Sequence, residues 1–210
     1  MSAPKRPPAT ITPPWLSFNY IRQQADNFRQ QYVKPPDLVP VPMEEIVELD
    51  LKFQIIPIIG LQDRIDVDGF LTNNLKAICV DYNVYTDERR SSRLRFTLAH
   101  EVGHFVLHKE QIQQCQFSTP EDWIHFREDF TEDNLYWFEA QAYEFAGRLL
   151  VPKEELEKQV GLHSEEIKLF KAHFPAGPDL NEAISRVICG HFGVSDQVIC
   201  RRITKEKIRL

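Results

Sequence analysis

The spacing of apolar residues predicts that helices form the scaffold of this chain. From Asn19 to Tyr32, apolar side chains recur at steps of three and four residues, which is typical of an amphipathic α-helix. Met43 to Leu49 fits a short helix that follows two prolines. Strongly apolar sequence around residues 94–106 and 136–150 predicts two further helices, which would be largely buried.

A second pattern, rich in β-branched residues, predicts a small sheet between these helices. Phe53 to Ile59 is typical of a strand, and Pro57 places this strand at a sheet edge or bulge because proline cannot donate to the ladder. Residues 70–72 and 76–82 predict two more strands. We therefore expect an α+β fold, with a small antiparallel or mixed sheet packed on helices.

The last third of the chain is charged, helical sequence. Lys153 to Val160 fits one helix, and residues 183–192 and 198–203 fit a pair that is joined by a Gly193 turn and capped by Ser195. Such a pair resembles a helix-turn-helix, and a basic tail follows it. Three interpretations stay open: a packing extension, which we favour, recognition of an acidic partner, and DNA contact, which we expect least.

These patterns divide the chain into three parts. Residues 1–17 hold five prolines and predict a flexible or extended arm. Residues 18–152 hold the predicted sheet and the apolar helices, and are expected to form the main domain. Residues 153–210 are predicted to form a helical C-terminal extension.

Composition favours a protein that folds and works in the cytoplasm. The chain has 210 residues and is 42% hydrophobic, enough to bury a core without disulfides. Its four cysteines form no CxxC pair, which is typical of reduced thiols. A net charge of -6 gives no general attraction to nucleic acid or anionic lipid. Neither a membrane span nor a signal peptide is expected from the apolar runs.

The most informative motif of the chain is His100-Glu101-Val102-Gly103-His104. Helix residues four apart lie on one face roughly 6 Å from each other, so both histidines can direct a ring nitrogen at one metal ion. Glu101 then lies beside the ion, in the position of a general base that takes a proton from water. This arrangement is typical of zinc hydrolases. Gly103, which is unfavourable inside a helix, indicates that another group packs closely there.

The third metal ligand must come from another part of the chain, because a catalytic zinc takes three protein ligands and keeps one position open. Glu139 is the best candidate. Ala142 and Ala146 share roughly its helix face and would let the two helices approach closely. The alternative is a surface glutamate, which the flanking aromatic residues disfavour. Glu144 lies about 140° further round this helix and is expected to face solvent or an arginine.

Other side chains compete for roles near this centre. His108 lies one turn beyond His104, about 6 Å further from the ion, so we favour a supporting or core position over direct ligation. His125 is a second rival for a place at the site. The residue that stabilises the oxyanion stays open among Tyr136, Tyr143, His125 and Arg148.

Two stretches of the chain resemble one known family. They are Arg95-Phe-Thr-Leu-Ala-His-Glu-Val-Gly-His-Phe-Val-Leu-His108 and Glu139-Ala-Gln-Ala-Tyr-Glu-Phe-Ala-Gly-Arg-Leu-Leu-Val-Pro152. With the upstream helix and sheet, they make residues 18–152 similar to the ImmA/IrrE family of bacterial and phage metallopeptidases. The second stretch departs at Tyr143, where many members have asparagine, and at Val151, where many have methionine.

The resemblance implies a zincin-like fold in which His100, His104 and Glu139 bind zinc and Glu101 is the catalytic base. It also implies a zinc-dependent endopeptidase whose substrate is a protein, for example a helix-turn-helix repressor in a stress response or a mobile element. The alternative function is a regulatory or toxin–antitoxin-type binding module that keeps its zinc for structure. The intact Glu101 argues against this alternative, because a structural site has no use for a base.

The strand predicted at Ala77 to Tyr82 comes just before the metal helix. In zincins, a strand in this place commonly forms the rim of the cleft. We therefore hypothesise that its free edge pairs with an extended substrate backbone. The hypothesis requires that one edge of this strand is unpaired.

Overall fold

Helices make up most of the computed structural model, which describes residues 11–114, 123, 127, 129–173 and 177–210. In chain order they are α1 Phe18–Tyr32, α2 Met43–Glu45, α3 Leu61–Ile65, α4 Tyr82–Thr86, α5 Ser91–Leu107, α6 Lys109–Gln114, α7 Glu132–Leu150, α8 Lys153–Leu162, α9 Ser164–His173, α10 Pro178–Phe192 and α11 Asp196–Glu206. A π-helical turn, Ile46–Asp50, follows α2 directly. The strands are β1 Gln54–Ile58, β2 Gly69–Leu71 and β3 Ala77–Asp81. The α+β class predicted from the sequence is confirmed.

The three strands form one mixed sheet in the order β1-β3-β2. Strand β1 runs parallel to β3, and β2 runs antiparallel to it. Pro57 accordingly lies on an edge strand, as predicted. The hypothesis of a free β3 edge is wrong, because both sides of β3 are paired. All five of its residues are buried, and a strand that is apolar on both faces favours the centre of a sheet.

Helices α5 and α7 pack closely enough to require a glycine between them. A Cβ added at Gly103 would lie 3.1 Å from the carbonyl oxygen of Ala142 and 3.2 Å from Cδ1 of Phe145. The close neighbour that this glycine indicated is therefore α7 itself. The contact brings the two motif-bearing helices close together at this point.

The N-terminal helix also packs against α7. Ser17 caps α1 by accepting a hydrogen bond from the Tyr20 N–H at 3.2 Å. Phe28 of α1 meets Phe145 of α7 edge to face, with ring centroids 5.9 Å apart. Ahead of α1, the side chain of Ile11 is buried in the core. The described part of the N-terminal arm therefore lies against the domain.

The C-terminal helix pair has the predicted form. Gly193 ends α10 with a left-handed backbone, φ +60°, and Ser195 caps α11 by accepting a hydrogen bond from the Val198 N–H. Arg202 of α11 is only 2% exposed and donates to the Glu144 carboxylate of α7 at 2.9 Å. This contact supports the packing interpretation of the pair. Of the two environments expected for Glu144, the arginine is the one observed.

No helix in the described ranges is both long enough and apolar enough to cross a membrane.

Candidate metal centre

The three predicted metal ligands come together between α5 and α7. Nε2 of His100 lies 3.1 Å from Oε2 of Glu139, and the Nε2 atoms of His100 and His104 are 3.0 Å apart. Nε2 of His104 is 3.8 Å from the same Glu139 oxygen. The i, i+4 spacing on α5 places the two rings side by side, and the Gly103 contact brings α7 near enough to supply the carboxylate.

This donor set fits a tetrahedrally coordinated divalent metal. Bonds of about 2.0–2.1 Å to a tetrahedral zinc place the ligand atoms roughly 3.3 Å from each other. The observed separations of 3.0, 3.1 and 3.8 Å bracket that value. Two imidazoles and one carboxylate also form the ligand chemistry of open, catalytic sites.

Mutual contact sets the charge state of His100 and Glu139. Burial is the largest influence on both groups and opposes their charged forms, but hydrogen bonding and charge attraction within the group together outweigh it. The pKa of Glu139 therefore lies well below its ordinary value, and the pKa of His100 lies above it. Glu139 is held as a carboxylate, which is the form that binds a metal.

Glu101 faces the same cleft and is less exposed to solvent than Glu139. Its side chain is only 4% exposed, and Oε2 accepts a hydrogen bond from the Leu71 N–H at 2.8 Å. Burial raises the pKa of Glu101, while the nearby His100 and His104 rings oppose the rise without cancelling it. A carboxylate whose pKa is raised accepts a proton more readily than an ordinary one, which suits a general base.

His108 lies behind the ligand group. Its Nδ1 is 3.0 Å from Nδ1 of His104, and its Nε2 is 2.8 Å from Oε1 of Gln141. Burial, helped by the neighbouring His104, lowers the pKa of His108 to about 3, so this ring is neutral. The structure thus places His108 in the supporting position that its spacing predicted.

Two residues that support the centre were not predicted from the sequence: Gln141, which contacts His108, and Leu71, which contacts Glu101. Gln141 had a weak signal, since it is a polar residue on the face shared by Phe138 and Phe145, three and four residues away. Leu71 had none, because its contribution is a main-chain N–H. Backbone donors carry no residue-type signature.

The centre opens into a cleft of about 410 Å³. One wall comes from β2, where a Cβ added at Gly69 would lie 2.7 Å from the Cys79 carbonyl oxygen and 2.8 Å from Cγ2 of Thr97. Only glycine lets this strand approach α5 so closely. A further part of the wall is the ion pair between Arg93 and Asp68, whose two hydrogen bonds are both 2.6 Å long.

Of the candidate oxyanion donors, Tyr143 is the one that the described structure places at the cleft. Its ring centroid lies 4.6 Å from that of His100. Burial raises the pKa of Tyr143, so its hydroxyl keeps the proton that a donor needs. Tyr136 is 67% exposed, and Arg148 is paired with Asp26 of α1 at 2.7 Å. His125 lies outside the described residues.

Comparison with known proteins adds an independent finding. The family model for the IrrE N-terminal-like domain, Peptidase M78, matches residues 66–204. This range takes in both motif-bearing helices and most of α11, and amounts to well over half of the chain. No curated protein matches the chain. With its mixed sheet, its two packed helices and a His/His/Glu group that can bind a metal, the chain belongs to the Peptidase M78 family of zincin-like metallopeptidases.

Proposed function

We propose that this protein is a zinc-dependent endopeptidase that cleaves a protein substrate. The observation that carries the proposal is the convergence of His100, His104 and Glu139 beside the buried Glu101, all at one open cleft. A structural zinc site is usually closed by four protein ligands, whereas a catalytic site keeps a position open. The combination of three ligands with a buried carboxylate favours catalysis.

His100, His104 and Glu139 would hold the ion. When bound, zinc supplies a Lewis acid that polarises a carbonyl and makes water more acidic. Glu101 takes the proton of the attacking water and then delivers it to the leaving amine, a role that its raised pKa suits. A hydrogen bond from the Leu71 N–H orients the Glu101 carboxylate, which lines the cleft.

Tyr143 is the proposed donor to the oxyanion that forms during peptide hydrolysis. It lines the cleft next to His100 and keeps its proton. A hydroxyl in this position would donate to the negative charge that develops on the carbonyl oxygen. The role accounts for a tyrosine where many members of the family have asparagine.

The proposed substrate is a protein in the cytoplasm. A helix-turn-helix repressor remains our favoured class, on the strength of the family resemblance. We do not propose DNA binding: Arg202 and Lys205 of α11 are engaged by the Glu144 carboxylate, which reduces the positive charge of this helix pair.

The proposal is tested by metal content and hydrolysis in matched variants. Elemental analysis should find about one zinc per chain in the wild type and in Glu101→Gln, and a sharp loss in Glu139→Ala. Glu132→Ala, which changes an exposed glutamate of the same helix, is the control and should keep its zinc. Zinc-loaded wild-type protein should cleave members of a fluorogenic peptide library, and Glu101→Gln should not.

Two results would contradict the proposal. Equal zinc in wild type and Glu139→Ala would show that the ion binds elsewhere. Full zinc with equal hydrolysis, or equal absence of hydrolysis, in wild type and Glu101→Gln would leave the base without a role and favour the binding-module alternative.

A further inference from the structure

A series of hydrogen-bonding groups runs from the N-terminal arm to the candidate metal centre. Nε2 of Gln141 donates to the carbonyl oxygen of Pro14 at 2.9 Å. Oε1 of Gln141 is 2.8 Å from Nε2 of His108, and Nδ1 of His108 is 3.0 Å from Nδ1 of His104. We call these four residues the arm relay.

The direction of every bond in the arm relay follows from its first member. A carbonyl oxygen can only accept, so Pro14 requires the NH₂ group of Gln141 to face it. The amide oxygen of Gln141 must then face His108. Because this oxygen also can only accept, the hydrogen of His108 lies on Nε2.

The tautomer of His108 determines the tautomer of His104. The His108 ring is completely buried and its Nε2 partner is a neutral amide, so the ring carries a single proton. With that proton on Nε2, Nδ1 of His108 has a free lone pair. It can accept only if Nδ1 of His104 carries a hydrogen.

We propose that Gln141 and His108 are positioning residues that fix His104 in its Nδ1–H tautomer. The N-terminal arm contributes the Pro14 carbonyl, which orients the Gln141 amide. In this tautomer the lone pair of His104 lies on Nε2, the atom that faces His100 and Glu139. Only a neutral ring nitrogen with a free lone pair binds a metal. The arm relay therefore prepares one ligand before the ion arrives.

The second histidine ligand provides a comparison within the same molecule. Nδ1 of His100 is buried, and among the described residues it has no hydrogen-bond partner. The far nitrogen of a ligating histidine usually donates to an acceptor that orients the ring. Such support is therefore given to His104 and not to His100 by the described part of the chain.

The Pro14 carbonyl is held in place by contacts further up the arm. The N–H of Ile11 donates to the carbonyl oxygen of Asp129 at 3.0 Å, and Nδ2 of Asn134 donates to the Ile11 carbonyl oxygen at 3.1 Å. Ile11 itself is buried. Because these bonds tie the arm to the start of α7, undocking it would remove the acceptor that orients Gln141. Metal affinity and arm docking are thereby coupled.

The inference rests on the metal-binding part of the proposed function and not on peptide hydrolysis. Its direct test is the tautomer of His104 in the full-length protein after removal of metal with a chelator. Long-range ¹⁵N–¹H NMR spectra of histidine-labelled protein distinguish the two tautomers, and the His104 signals are assigned by their loss in His104→Gln. We expect the Nδ1–H form of His104. Observation of the Nε2–H form would overturn the proposal. Because this test uses the wild-type protein, its result does not depend on whether a variant folds.

Two variants test the coupling through zinc affinity, measured by competition with a chelating dye. Gln141→Met keeps the volume of the side chain but removes its amide, so zinc should bind about 10- to 100-fold more weakly. Deletion of residues 1–14 removes the Pro14 carbonyl and should weaken binding in the same direction. Gln23→Met, on the exposed side of α1, is the control and should leave affinity unchanged.

The outcomes separate this inference from the proposed function. If Gln141→Met folds and binds zinc as tightly as the control, the arm relay does not position a ligand and the inference fails. If zinc binding depends on Gln141 but the wild type hydrolyses no peptide, the inference stands and the endopeptidase proposal fails.

Discussion

The main-chain N–H of Leu71 donates a 2.8 Å hydrogen bond to the carboxylate of Glu101. This contact joins β2, an edge strand of the sheet, to the proposed base on α5. It depends on how closely β2 approaches the helix, which in turn depends on Gly69. The orientation of the base is thus set by a strand that contributes no catalytic side chain.

Glu101→Gln should separate the base from the fold. Glutamine can still accept the Leu71 N–H, so the melting temperature should stay close to that of the wild type. Loss of the proton acceptor should lower kcat about 10²–10⁴-fold. Steady-state kinetics and thermal unfolding of the zinc-loaded proteins measure both effects. A large drop in melting temperature would mean that the carboxylate has a structural role instead.

Gly69→Ala should displace β2 from α5. The new methyl group would lie 2.7 Å from the Cys79 carbonyl oxygen, which is part of the sheet and cannot move aside. We expect a loss of about 1–3 kcal/mol in the free energy of unfolding, measured with urea, together with lower kcat. Adding Thr97→Ser removes the second clash, at Cγ2, and should recover only part of the stability. Complete recovery would show that the backbone contact is unimportant.

Tyr143→Phe tests the oxyanion donor. Removing the hydroxyl should lower kcat about 10²–10³-fold and leave zinc content unchanged. Tyr136→Phe makes the same chemical change at an exposed position of the same helix and should have no effect on either. Equal kcat in the two variants would contradict the assignment.

Gly103→Ala should push α7 away from α5. Alanine normally stabilises a helix interior by about 0.5–1 kcal/mol relative to glycine. Here its methyl group would meet a main-chain oxygen at 3.1 Å and the buried Phe145 ring at 3.2 Å, so we expect a net loss of about 1–3 kcal/mol and weaker zinc binding. Gly190→Ala, in α10, meets nothing within 4 Å and should be neutral or stabilising. Urea unfolding measures the free energy of unfolding of both variants. An increase for Gly103→Ala, or a loss for Gly190→Ala, would contradict the prediction.

The ion cluster around Glu144 should make stability depend on pH. Glu144 accepts hydrogen bonds from Arg22 at 2.7 Å, Arg202 at 2.9 Å and Lys205 at 2.7 Å, so that α1 and α11 are both tied to α7. Burial raises the pKa of this carboxyl, but the three cations outweigh burial and lower it. A depressed pKa stabilises the folded state above the unfolded value, about 4.3. This stability is lost as the pH falls below 4.3 and through the folded pKa.

Glu144→Gln measures this contribution. The variant leaves the buried Arg202 with less compensation and should lose about 3–5 kcal/mol of unfolding free energy at pH 7. Its stability should also fall less than that of the wild type as the pH drops below about 4.3. Glu182→Gln, whose partner Arg186 is exposed, should change stability by no more than about 1 kcal/mol. Parallel acid profiles for wild type and Glu144→Gln would contradict the prediction.

Local geometry explains which features could be predicted from the sequence. His100, Glu101 and His104 lie within one and a half turns of a single helix, so their relative positions follow from helix periodicity alone. Glu139 could be nominated because small residues next to it predicted a close approach between two helices. Gly103 predicted that another group packs closely against its helix, and in the structure that group is α7.

Strand pairing shows where the sequence was insufficient. The strand predicted at Ala77 to Tyr82 is present as Ala77–Asp81, but the pairing of both of its edges with neighbouring strands was not predicted. The register of a strand and the strands it pairs with depend on how the whole sheet packs against the helices. Both edges of every strand offer the same backbone N–H and C=O groups, so the sequence of one strand does not identify its partners. Pro57 was the exception, because it lacks the N–H that a central strand needs.

The sequence by itself determined the helix that carries His100 and His104 and placed both rings on one face, because a spacing of four residues is close to one helical turn. Only the tertiary structure decided which further groups support that pattern: the N–H of Leu71, which binds Glu101, and the arm relay, which begins at Pro14. Apart from the step between His104 and His108, these contacts join groups 30 to 127 positions apart in the chain. Their formation depends on the packing of buried surfaces, which no local spacing records.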